Sequence, residues 1–329
     1  MITLRHEIAN AREAEPACYA ASVIISTRNR KDELRRAVAS AVGQSIRPQV
    51  IVIDDGSDDG TAELVRREFS GVRLERSEVS RGYIVQRNYG ARIANAPIVI
   101  TMDDDAAFVS PHTIEQTLED FDDPRVGAVA IPYIDIGKDP TPRQQAPKRP
   151  GVYVSNNFRG TAGALRRDLF LKLGGFREYF LHQGEEDEFC LRLLQAGYIT
   201  RLGRAEPLHH FESPRRNRSR IIYHQSRNNI LFAWYNVPAC CLALHLAGTA
   251  INSIRAGVRA GHAPASLRGC WMGFLGMLHE RAQRSPVSPE IYRLLRRLKK
   301  QGPPPLSEIE HMLPPLTRRI QQSSAGGPH

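Results

Sequence analysis

Residues 98–105 read Ile-Val-Ile-Thr-Met-Asp-Asp-Asp, an apolar run that begins after Pro97 and ends in three consecutive carboxylates. An apolar run of this length between breakers reads as a buried strand. Asp103, Asp104 and Asp105 at its carboxyl end repel one another, so the surrounding fold has to supply compensating charge. A hard divalent cation can do so, taking carboxylate oxygens together with substrate phosphates. Residues two apart on an extended chain face the same side, so Asp103 and Asp105 can reach one ligand together. Acids decorating a solvated loop are the plainer alternative, because short acidic motifs also arise by accident.

Two similar runs precede it. Ala21-Ser-Val-Ile-Ile-Ser-Thr27 leads into Arg28-Asn-Arg-Lys31 and then a helical stripe of Leu34, Val38, Ala41 and Val42. Val50-Ile-Val-Ile-Asp54 feeds the turn-rich Asp55-Gly-Ser-Asp-Asp-Gly60. Helices are expected over 61–69 and from Gly82 to Asn95, with a short strand over 72–75. Alternation of helices with near-continuous apolar strands predicts an α/β fold with a doubly wound, mostly parallel sheet. Ligands of such sheets gather at the carboxyl ends of the strands. Thr27, Asp54, Asp55 and the acid trio all fall there.

Further along, a helix is expected over 110–121, a strand over 126–134, a Pro-rich basic loop over 137–150 and a helix over 165–173. Glu185-Glu-Asp-Glu188 opens another helix, where four acids in the first turn complement the helix dipole. Residues 239–254 form the most apolar window but fall short of the ~20 residues a membrane span needs. With Arg255, Arg259 and Arg268 behind them, they fit an interfacial helix or one packed on the main domain. Residues 1–200 hold 26 Lys and Arg against 29 acids, whereas residues 201–329 hold 19 against 6. The basic excess of the C-terminal third points to anionic lipid, nucleic acid or a phosphorylated substrate. Five scattered cysteines without CxxC spacing argue against a disulfide framework or structural zinc. The first residues lack an apolar signal core, so a cytoplasmic chain is expected. The expected organisation is a polar arm (1–18), a catalytic domain (19–236), a basic helical segment (237–300) and a disordered tail (301–329).

Five blocks in order then resemble family 2 glycosyltransferases: Thr27-Arg-Asn-Arg30, Asp54-Asp-Gly-Ser-Asp-Asp-Gly-Thr61, Gly82 with Arg87-Asn88, Asp103-Asp-Asp105, and Gly174-Gly-Phe-Arg-Glu178 followed by Glu185-Glu-Asp-Glu188. The resemblance covers roughly residues 21–236 and implies the GT-A fold and an inverting transfer from a nucleotide sugar. It assigns the nucleotide sugar to Thr27, Asn29, Arg30, Asp54, Asp55, Arg87, Asp103 and Asp104, with Arg87 pairing phosphate oxygens. Asp105, with Asp103 and either His209 or His210, would ligate magnesium or manganese. Gly160, Thr161 and Glu185 fall on the acceptor side. Glu186 stands where the family carries the aspartate base, and Asp187 is its rival; a helix N-terminus lowers the pKa of either.

The resemblance further implies UDP or dTDP as the donor nucleotide and a glycan or lipid-linked acceptor in cell-surface polysaccharide or glycolipid synthesis. The setting would be the inner face of the plasma membrane, with peripheral contact to anionic lipid. A sugar-1-phosphate nucleotidyltransferase is disfavoured, because the loop after the first strand has no glycine. Nucleic-acid binding is disfavoured because the basic residues flank apolar helices rather than interleave with aromatics.

Overall fold

The computed structural model describes residues 18–211 and 217–316. The expected arm up to residue 17 and residues 317–329 of the expected tail lie outside the described residues. So does Arg216, which with Arg218 is an arginine that the resemblance also offers to phosphate, whereas Arg218 is described and exposed. The first half runs β1 (Ala21–Thr27), α1 (Lys31–Val42), β2 (Gln49–Asp54), α2 (Thr61–Glu68), β3 (Arg73–Arg76), α3 (Tyr83–Ile93) and β4 (Ile98–Asp103). Then come β5 (Ala106–Ala107), α4 (Thr113–Glu119), β6 (Val126–Ala130), β7 (Tyr133–Asp135), β8 (Asp139–Arg143), β9 (Val154–Ser155), β10 (Gly163–Arg166) and α5 (Arg167–Lys172). The chain continues through α6 (Glu185–Gln195), β11 (Ile199–Leu202), β12 (Leu208–His210), α7 (Arg218–Asn236), α8 (Ala239–Arg259), α9 (Ala263–His279), α10 (Pro289–Gln301) and α11 (Leu306–Ile309).

The main sheet has the order β3-β2-β1-β4-β10-β6-β11-β9. Strands β3, β2, β1 and β4 pair in parallel, as do β6 and β11, while β10 and β9 run against their neighbours. This is the mostly parallel α/β architecture that the alternation predicts. Both faces are covered: Val23 and Ile25 of β1 belong to one core cluster with residues of α1, α2 and α10, and Ile24 between them belongs to another with residues of α3 and α6. Burial on both faces is why these strands read as continuous apolar runs. A second sheet, ordered β5-β12-β7-β8, stands beside the carboxyl end of β4.

Three expectations need correction. The Pro-rich stretch 137–150 contains β8, an edge strand paired only with β7, where Pro140 and Pro142 cost no ladder bonds. The helix expected over 165–173 starts two residues late, because Gly163–Arg166 pairs as β10 between β4 and β6. The tail expected to be disordered from 301 is folded as far as it is described. Leu306, Ile309 and Leu313 are buried, and the backbone joins the sheet region through Leu306 N to Val152 O (2.7 Å) and Val154 N to Pro304 O (2.9 Å). Its prolines mask a short apolar face. The core is also continuous across residue 237, since Ile291, Leu294, Leu295 and Leu298 of α10 pack into the cluster that contains β1 and β4.

Among the described residues, no helix is long and apolar enough to cross a membrane.

Helix α3 sits close on β1 and β2 because Gly90 has no side chain. A Cβ there would lie 2.5 Å from Ile24 Cγ2 and 3.0 Å from Ile53 Cδ1. Gly90→Ala should therefore destabilise the protein by about 1–3 kcal/mol through overpacking. A lowered urea midpoint at unchanged m would show it.

Candidate active site

The acid trio at the end of β4 divides by direction. Asp104 turns inward: Thr27 Oγ1 donates to its Oδ2 at 2.8 Å and Arg30 Nη1 to its Oδ1 at 2.9 Å. The same Arg30 atom lies 3.0 Å from Asp105 Oδ2. Burial pushes the Asp104 carboxyl up to about 7 despite Arg30, with Asp105 adding repulsion. Thr27, Arg30 and Asp104, assigned by resemblance to the nucleotide sugar, are thus engaged with one another.

Asp103 and Asp105 face the second sheet. Strand β12 lies between β5 and β7, with His210 in register with Ala106 on one side and Asp135 on the other. That register sets His210 against Asp105 and puts ligand atoms of Asp103, Asp105 and His210 within 4.8 Å of one another. Asp135 Oδ1 holds the His210 Nδ1 at 2.6 Å. The other ring nitrogen, Nε2, is buried, lies 3.4 Å from Asp105 Oδ1 and makes no hydrogen bond. A histidine fixed by a carboxylate at one nitrogen and free at the other is a prepared metal ligand. Two carboxylates and one imidazole suit magnesium or manganese. His209, the rival candidate, points to the opposite side of the strand and lies outside the cluster. Asp135 was not foreseen. Its only sequence signal is an acid at the end of an apolar run.

Arg87, expected to meet phosphate, is instead buried within the protein. Its guanidinium is hydrogen-bonded to Asp103 and lies 3.5 Å from Glu185 Oε1 and 3.6 Å from Glu186 Oε1. It also donates to Gly160 O at 3.2 Å. A Cβ on Gly160 would meet Arg87 Nη1 and Glu186 Oε1, each at 2.3 Å, so a larger residue there would have to displace the ends of this pair. Glu185 is fully buried against Arg87 and offers no face to an acceptor. Thr161 is buried with its hydroxyl unpartnered.

Glu186 keeps 17 % of its side chain exposed. Burial and the Glu185 carboxylate push it well above the ordinary carboxylate range against the pull of Arg87. This reverses the lowering expected at a helix N-terminus, because desolvation outweighs the dipole. Asp187 is tied to Asn157 Nδ2 at 3.0 Å.

Asp55, expected at the nucleotide sugar, is engaged within the protein. It accepts from Ser80 Oγ, Arg81 N, Gly82 N and Gln86 Nε2, fastening the loop that begins α3. Those bonds hold its pKa low against the opposing effect of burial. Asn29 likewise ties loops together, accepting from Asp58 N at 2.9 Å and donating its own N–H to Ser57 Oγ. Asp54 accepts from Ser57 N and leaves its Oδ2 buried without a hydrogen bond.

Residues 22–179 match the sequence model of Glycosyl transferase family 2. The chain is similar to the succinoglycan biosynthesis protein ExoU of Rhizobium meliloti, 37 % identical over 89 residues, or 26 % of each chain. The matched stretch thus spans about a quarter of that relative. In structure it resembles the mannosyltransferase PcManGT from Pyrobaculum calidifontis in complex with GDP-Man and Mn²⁺, with TM-score 0.52 and 19 % identity over 87 % of this chain and 88 % of that one. It also resembles S. aureus TarS 1-349 in complex with UDP-GlcNAc, with TM-score 0.58 and 15 % identity over 86 % and 92 % of the two chains. Identities this low show the shared GT-A fold.

Two measurements probe the cluster. Asp135→Asn should weaken manganese binding about 10–100-fold by loosening the ring of His210, as calorimetry would read. Asp104 keeps its proton to about pH 7 when folded and loses it near pH ~4 when unfolded. Between those values the native state binds the extra proton, so this group makes stability fall as pH rises, by about 4 kcal/mol across the window. In urea titrations of metal-free protein, Asp104→Asn should lose that slope.

Proposed function

The chain belongs to glycosyl transferase family 2 through residues 22–179, and from that premise we propose that it moves a sugar from a nucleoside-diphosphate donor to an acceptor hydroxyl with inversion. The observation that carries the reading is that one guanidinium, Arg87, joins a metal-ligand cluster to an otherwise uncommitted carboxylate. Asp103 lies on one side and Glu186 on the other.

Asp103, Asp105 and His210 would hold the magnesium or manganese ion. When bound, such an ion supplies positive charge to the leaving diphosphate as a Lewis acid. The nucleotide lies against the carboxyl ends of β1, β2 and β4, where Asp54 Oδ2, buried without a hydrogen bond and 3.7 Å from Arg76 Nε, is the polar atom left for the base. Glu186 takes the proton of the acceptor hydroxyl. The hydroxyl oxygen then forms its bond to the anomeric carbon as the bond to the diphosphate oxygen breaks on the opposite face. A carboxylate with a raised pKa is a stronger base once ionised, which suits this task. Arg87 orients Glu186 and Asp103 and leaves the phosphates to the cation.

UDP is the favoured donor nucleotide, followed by dTDP, and the TarS neighbour was solved with UDP-GlcNAc. The acceptor is a glycan or lipid-linked sugar of a cell-surface polysaccharide or glycolipid, made at the inner membrane face. The similarity to a succinoglycan biosynthesis protein supports that class.

The test is a screen of nucleotide sugars with manganese, followed by two variants. Glu186→Gln should lower kcat by about 10²–10⁴ with donor affinity retained. Asp187→Asn should stay near wild type. Collapse of turnover in Asp187→Asn alone would move the base one residue along, and no manganese-assisted uptake of any nucleoside diphosphate would end the transferase reading.

A further inference from the structure

Helices α8 and α9 each turn one face onto α7 and leave the other in solvent. The packed face of α9 is made of small residues: a Cβ on Gly269 would lie 2.4 Å from Tyr223 O and one on Gly273 2.8 Å from Arg227 O. The opposite faces are apolar and exposed. Leu244, Ile251 and Val258 line α8 at seven-residue intervals, and Leu267, Trp271 and Leu278 line α9. Leu244 is 84 % exposed, Trp271 64 % and Leu278 73 %. Large apolar side chains gathered on two neighbouring helices mark an interaction surface rather than ordinary scatter.

The charge around this surface selects its partner. Residues 237–300 hold ten Lys and Arg against two acids, Glu280 and Glu290. Glu280 is occupied by the Tyr235 hydroxyl at 2.9 Å. Exposed Arg255, Arg259 and Arg268 stand around the α8–α9 turn. At the other end, His245, Arg296, Lys299 and Lys300 line an open cleft of about 540 Å³. A second copy of the chain placed on this surface about a two-fold axis would bring cations against cations. Nucleic acid would meet the cations and leave the aliphatic stripes in water. An anionic bilayer satisfies both features, with acyl chains taking the apolar stripes and headgroup phosphates meeting the flanking cations.

We propose that the exposed faces of α8 and α9 dock this protein on an anionic lipid surface, apolar side chains inserted at the interface and the 255–268 and 296–300 cations on headgroups. The docked region touches the turn that leads into α6. The ring of His279 at the end of α9 stacks on Tyr179 with centroids 5.5 Å apart, and Tyr179 precedes the turn into α6. That the bilayer thereby lies on the acceptor side rests on the proposed transferase reading, whereas the docking itself does not.

Co-sedimentation of the full chain with vesicles tests the docking without donor or turnover. Phosphatidylcholine vesicles with one third phosphatidylglycerol should bind at least about tenfold more tightly than phosphatidylcholine alone, and less tightly as salt rises. Trp271→Ser with Leu278→Ser, and separately Arg296→Glu with Lys300→Glu, should each cut that binding at least about tenfold. The thermal midpoint, and any manganese-dependent nucleotide binding, should stay unchanged, which separates lost docking from lost folding. Equal or absent binding to the two vesicle types overturns the proposal. So does duplex DNA bound in place of vesicles, or a dimer that Trp271→Ser dissolves and lipid leaves intact. Failure of the transferase reading would leave vesicle binding standing, and failure here would leave the Glu186 chemistry untouched.

Discussion

A buried guanidinium and the carboxylates around it set the geometry of this protein. Arg87 meets Asp103 from β4 and Glu185 and Glu186 from α6. Neither side is tolerable alone, since a buried charge stripped of its partners costs several kcal/mol. Helix α3 must therefore deliver Arg87 to the point where β4 and α6 converge. Gly90, one turn on, permits the close seat of α3 on the sheet, and Gly160 clears the space beneath the guanidinium. The adjacent Asn88 completes the fastening. It donates to Phe176 O at 2.8 Å and accepts from Phe176 N at 2.8 Å, pinning the turn in which Gly175 takes a positive φ.

The four acids opening α6 share one helix dipole yet differ in state and task. Glu188 is buried between Arg177 and Arg192, each 2.7 Å away, and holds the helix to the preceding turn. Glu185 neutralises Arg87, and Asp187 takes the Asn157 amide. Glu186 alone combines partial exposure with a strongly raised pKa. Neighbours, rather than position on the helix, separate the roles of like residues, as is general for paired carboxylates in active sites.

Much of this was legible in the chain. The strands β1, β2 and β4 are continuous apolar runs because both faces of the sheet are covered, and their acidic ends fall where such sheets collect ligands. Strand alternation could even have chosen His210 over His209, since His210 shares the side of the buried Leu208. Other features depend on partners that no local pattern reveals. Asp135 becomes a histidine holder only through the parallel pairing of β7 with β12, 75 residues apart. Asp55 and Arg87 look like ligand-binding residues by type, yet their contacts lie within the protein. The 302–316 segment was hidden by its prolines, whose composition resembles disorder while Leu306, Ile309 and Leu313 supply a buried face.

The C-terminal helices also reach the site through backbone strain. Between Phe180 and Glu185 the chain turns through Leu181 at φ 62°, Gln183 at φ 67° and Gly184 at φ 91°. Two non-glycine residues in that region cost about 1–3 kcal/mol each unless their surroundings hold them. The holders come from α7. Asn228 Nδ2 reaches the carbonyl oxygens of Phe180, His182 and Gln183 at 2.7–2.9 Å, and Arg227 Nη1 donates to Tyr179 O at 2.9 Å. Helix α7 is in turn backed by the glycine face of α9, and the far end of α6 is tied to the start of α10 by Ser288 N donating to Gln195 Oε1 at 2.8 Å. Glu186 therefore takes its aim from the helical region at both ends of α6. A boundary drawn at residue 236 would cut through the buttress that positions Glu186.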